Sequence, residues 1–66
     1  MESKKRDIKI IACFLVASGL EEKCNKKQAI KSIEKNMSYL FFKNIINQDF
    51  ELIIKEMTKI LKPIKN

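Results

Sequence analysis

Histidine is absent from the 66 residues, glycine and proline occur once each, and cysteine occurs twice. Without an imidazole the chain lacks the commonest metal ligand and the side chain best suited to moving protons near neutral pH. One glycine, Gly19, cannot supply a glycine-rich phosphate loop. Cys13 and Cys24 lack the four-ligand spacing of a structural zinc site, so neither a metal nor a cofactor is expected. Ser3, Ser18, Ser32, Ser38 and Thr58 have no evident base to activate them, and Glu21 and Glu22 read as solvated charges in a connection. No enzyme activity is expected from this composition.

The chain also lacks the roughly 20 consecutive apolar residues that span a bilayer, and Lys9 interrupts its longest apolar run at the start. Lys4-Lys5-Arg6 ahead of that run and Ala17-Ser18-Gly19 behind it have the outline of a secretory signal. The run is short for that purpose, and Glu2 and Asp7 flank the basic cluster. Cys13 is read as a small hydrophobe within the run and Cys24 as a loop thiol, both reduced. A cytoplasmic protein without a membrane attachment is the expectation.

What is present favours folding. Ile, Leu, Val and Phe make up about a third of the chain, enough apolar surface to offset the entropy of ordering. A chain of 66 residues forms one domain, read here as a single helical domain over 1–66, and a core of this size is marginal unless something reinforces it. The octet Ile10 to Ala17 supplies a reason for association. Wound into a helix with Ile8, its side chains point in nearly every direction, so the segment is expected to need cover on all sides, from a second copy or a partner.

Punctuation along the sequence predicts an all-α domain, a small bundle of three or four short helices that pairs as a dimer. A first helix over about Lys5 to Ser18 takes Ser3 as N-cap and Gly19 as its left-handed terminator, with Leu20 folding back on Leu15 or Val16. Asn25 with Gln28 three residues later has the form of a capping box and starts a second helix, whose apolar face is Ala29, Ile30, Ile33 and Met37. Apolar spacing continues through Leu40, Phe41 and Ile45, so residues 26–47 are one helix, or two with a break near 36–38 and Ser38 as the new cap. A last helix begins at Asn47 or Asp49, carries Phe50, Ile53, Ile54, Met57, Ile60 and Leu61 on one face and a Glu51–Lys55 pair outside, and stops at Pro63. A strand over the apolar run, paired with its copy across a two-fold axis, is the rival for the first element.

Charge is unevenly placed. Lys23, Lys26, Lys27, Lys31, Lys35 and Lys43 face only Glu34 between residues 23 and 43, a local +5 out of the chain's +6. Lys27, Lys31 and Lys35 repeat every four residues on the side of the second helix away from its apolar face, where like charges weaken a helix slightly. An anionic partner would relieve that repulsion. These six lysines are the candidate contacts to the phosphate backbone of nucleic acid, and the single arginine, Arg6, argues against bidentate reading of guanine. Residues 25–46 satisfy a helix-turn-helix poorly, with Glu34, Lys35 and Asn36 where its turn wants glycine and an apolar residue. The competing reading is an interaction module that binds an acidic protein.

For the expected homodimer the candidate interface is Ile10, Ile11, Phe14 and Leu15 together with Phe41 and Phe42. Neighbouring Phe41 and Phe42 cannot both face one narrow core stripe.

Overall fold

The computed structural model describes residues 2–62, and it is helical throughout its regular elements. Helix α1 spans Glu2–Ala17, α2 spans Lys26–Ser32 and α3 spans Tyr39–Leu61. The rival strand over the apolar run is not formed. No helix among the described residues is long and apolar enough to cross a membrane.

Local chemistry accounts for most boundaries. Helix α1 closes in a Schellman turn: Gly19 takes φ 94°, its N–H donates to the Val16 carbonyl at 2.9 Å, and the Leu20 N–H donates to the Leu15 carbonyl at 3.1 Å. At the other end α1 begins at Glu2, so Ser3 lies inside the helix instead of capping it. The capping box of α2 is complete, with the Gln28 N–H donating to Asn25 Oδ1 at 2.8 Å and the Asn25 N–H donating to Gln28 Oε1 at 2.9 Å. Helix α2 ends at Ser32, and a turn over 33–38 follows in which the Ser38 N–H donates to Asn36 Oδ1 at 2.7 Å. Ser38 precedes α3 but makes no side-chain cap.

The second break, expected at Asn47 or Asp49, falls at Asp49, where two helical stretches meet at a kink within α3. Asp49 has φ −126° and ψ 35° inside α3, which continues past it. The Glu51–Lys55 pair is absent among the described ion pairs; Lys59 Nζ instead meets Glu56 Oε2 at 3.3 Å. The expected stop at Pro63 lies outside the described residues.

Helices α1 and α2 both pack on α3 and barely meet each other. The core is Ile8, Ile11, Ala12 and Leu15 from α1, Ala29 and Ile33 from α2 and the residue after it, and Ile45, Ile46, Ile53 and Met57 from α3. With extents of 38 × 27 × 17 Å the molecule is about two helices thick, so α3 cannot be wrapped on every side.

This packing corrects the reading of the apolar octet. Helix α1 does have a solvent side, made by Arg6, Lys9, Ile10, Cys13 and Ala17, while Ile11, Ala12 and Leu15 are fully buried within the one chain. Phe14 and Val16 are half-buried at the border between the two sides. Ile11 and Leu15 are therefore core residues, sheltered by the chain's own α3, and offer nothing to a partner. Cys13, expected as a small hydrophobe within the run, is exposed.

Candidate nucleic-acid interface

Five of the six candidate lysines, Lys23, Lys26, Lys27, Lys31 and Lys35, are exposed, and Lys43 is half-buried. Helix α2 is pinned by Ala29 and Ile33, which enter the core, and this turns Lys27 and Lys31 outward on adjacent turns. The regular stripe ends there. Because α2 stops at Ser32, Lys35 lies in the following turn and Lys23 in the preceding one, so a single four-residue helical register does not join all of them.

Two of the six are engaged within the chain. Lys26 Nζ donates to the Asn47 carbonyl at 3.3 Å and so fastens the start of α2 to α3 just before the kink. Lys43 Nζ stands 5.7 Å from the centre of the Tyr39 ring, one turn earlier on α3, within range of a cation–π contact. Lys23, Lys27, Lys31 and Lys35 make neither an ion pair nor a side-chain hydrogen bond among the described residues.

Three carboxylates, Asp49, Glu56 and Glu22, pair with lysines elsewhere in the chain. Lys4 Nζ lies 3.2 Å from Asp49 Oδ2, a Coulombic contact without hydrogen-bond alignment, since that buried oxygen has no hydrogen-bond partner. Lys62 Nζ lies 2.6 Å from Glu22 Oε2. That hydrogen bond from Lys62 is the main cause holding the Glu22 carboxyl below its ordinary pKa, and its counterpart from Glu22 raises Lys62. Burial pushes the Cys24 thiol up, which disfavours the reactive thiolate. A groove of about 420 Å³ opens at the kink between Lys26, Asn47, Asp49, Glu51 and Lys55. Its two lysines and two carboxylates balance, so it does not extend the basic surface.

Of the candidate interface residues, Ile10 and Phe41 are exposed at 47% and 52%, and Phe42 is half-buried against the core. The two phenyl rings are tilted by 47° with centroids 6.0 Å apart, one facing in and the other out, as their adjacency requires. Sequence reasoning passes over two neighbours. Met37, assigned to the apolar face of the second helix, is fully exposed in the 33–38 turn, and Leu40 on the first turn of α3 is 72% exposed. The break near 36–38 is the available signal, because it removes Met37 from any helical face.

No protein-family model, curated protein or solved structure matches the chain.

Proposed function

We propose that the chain binds the phosphate backbone of nucleic acid through the lysine-rich surface around α2, as a small basic binding or regulatory protein. The observation that carries this reading is the absence of any carboxylate partner for Lys23, Lys27, Lys31 and Lys35 among the described residues, while carboxylates elsewhere pair with Lys4, Lys59 and Lys62. Clustered cations that are not neutralised within the fold attract polyanions and release counterions on contact. Lys26 fastens the start of α2 to α3, and Lys43 adds a further charge from α3. Binding of this kind is independent of base sequence, in keeping with the single arginine, Arg6.

The proposal does not need a second copy, because Ile11 and Leu15 are satisfied within one chain. Pairing of two copies, if it accompanies binding, would double the lysine surface and would have to use Ile10 and Phe41. Two free cysteines support a cytoplasmic setting.

Fluorescence anisotropy of labelled duplex DNA against salt tests the reading. Micromolar binding at low salt, falling steeply as salt rises, is the expected result. Changing Lys27, Lys31 and Lys35 together to Gln lowers the log–log salt slope by about 0.9 for each phosphate that is no longer neutralised, and leaves the helical circular dichroism unchanged. Absence of binding at low salt, or an unaltered slope in the triple variant, sinks it.

A further inference from the structure

The kink in α3 opens a groove that the phosphate-binding surface does not explain. Its volume of about 420 Å³ lies within the range of about 300–1,000 Å³ in which small ligands are held. Asp49 leaves helical geometry, and around the bend Asn47 and Gln48 from one side and Glu51, Leu52 and Lys55 from the other line a single hollow, with Phe50 between them.

Most of its polar groups are unengaged. Asn47, Gln48, Glu51 and Lys55 are exposed and make neither a side-chain hydrogen bond nor an ion pair among the described residues. Glu51 and Lys55 stand one turn apart, where opposite charges commonly meet on a helix, yet here each stays open to the groove. The other carboxylate, Asp49, already faces Lys4. Phe50 is half-buried against the core and Leu52 is 46% exposed, so the hollow also has an apolar wall.

Lys26 joins this hollow to the lysine surface. It lines the groove and opens α2, and its Nζ spends one proton on the Asn47 carbonyl and keeps two. Lys27 and Lys31 follow on the same helix within about 8 Å along its axis, so a strand crossing them passes the mouth of the groove. A hollow with an apolar wall, free amides and a carboxylate, set beside cations, complements a nucleobase attached to phosphate. A duplex keeps the pairing edges of its bases closed, whereas an unpaired strand presents them. Guanine fits best: its pairing edge carries two adjacent donors for a carboxylate with two oxygens, and its O6 and N7 accept from amides.

We propose that the groove at the kink takes one unpaired guanine of a single strand whose phosphates run over Lys27 and Lys31. Glu51 accepts from the N1–H and the amino group, Asn47 and Gln48 donate to O6 and N7, Phe50 and Leu52 lie against the base, and Lys55 meets a flanking phosphate. The inference rests on the nucleic-acid reading and adds a base preference to contacts that have none.

Fluorescence anisotropy with the full chain at low salt tests it, using a strand of about ten thymidines and the same strand with one central guanine. The guanine strand is expected to bind about tenfold more tightly. Pairing each strand with its complement removes the difference. Amide shifts in the 15N spectrum that the guanine strand causes beyond those of the all-thymine strand fall at residues 47–52 and 55. Glu51→Gln brings the ratio of the two affinities to about one, and Gln48→Ala lowers it. Lys27→Gln with Lys31→Gln weakens both strands and keeps the ratio. Glu51 and Gln48 are exposed, and an unaltered circular dichroism melt verifies that each variant folds.

Equal binding of the two strands, a preference that survives both groove variants, or one that persists in the duplexes overturns the proposal. Free guanosine monophosphate that shifts the same amides while the strands bind alike also overturns it, and assigns the groove to a soluble nucleotide. Salt-dependent duplex binding with no difference between the strands removes this inference alone, whereas absence of all binding at low salt removes the nucleic-acid reading with it.

Discussion

Glu22 and Lys62 are 40 positions apart in sequence and 2.6 Å apart in space, and their contact ties the connection after α1 to the end of α3. The Glu22 side chain retains 16% of its accessibility and that of Lys62 67%, so the acid is the sheltered member of the pair.

That pairing sets a pH window. The Glu22 carboxyl is held below its usual value, so its share of stability is present above the usual glutamate range and is lost as pH falls through the lowered folded value. Lys62 is shifted the other way, and its share is present below the ordinary lysine value and is lost as pH rises through the raised one. Denaturant melts across the acidic, neutral and alkaline ranges, on the native chain and on Glu22→Gln, check this. The native protein gains over the variant across the neutral range, and the difference closes at both extremes. A pH-independent difference contradicts the assignment.

The buried side of α1 gives a second expectation. Leu15→Ala removes a fully buried side chain and costs about 2–5 kcal/mol. A chain of this length has about 3–10 kcal/mol in total, so the variant is expected to lose a large share of its stability and to melt well below the native protein. Because the core closes within one chain, the melting temperature of the native protein is expected to stay constant over a hundredfold dilution. A melt that shifts with concentration would show that association contributes to the core.

Asn25 offers a milder and more local probe. Its side chain holds the Gln28 N–H at 2.8 Å, and Asn25→Ala is expected to cost about 1 kcal/mol. Hydrogen exchange should quicken at Gln28 and Ala29 before it does in α3. Uniform quickening throughout the chain would mean that α2 does not open by itself.

Much of the architecture can be read from short-range chemistry. Gly19 as a left-handed terminator, the Asn25–Gln28 box and the break before Ser38 each depend on residues within a turn of one another, and each is present. The octet misleads because counting the directions of apolar side chains gives no weight to Arg6, Lys9, Cys13 and Ala17, which fall on one side of the helix and mark its wet face. Where a helix ends decides the rest. Lys35 keeps the four-residue spacing of Lys27 and Lys31 in sequence, yet the helix that would align them stops at Ser32. The kink at Asp49 is legible only as a capping residue; that its carboxylate faces Lys4 from the far end of the chain depends on tertiary packing that no local pattern records.

Because α3 is the element that both other helices pack on, α1 and α2 emerge during synthesis with no companion to cover them. The ribosome must release the chain through Met57 before Ile11 and Leu15 can meet Ile53 and Met57. A nascent chain stalled before α3 has emerged would therefore carry a sticky, uncovered first helix.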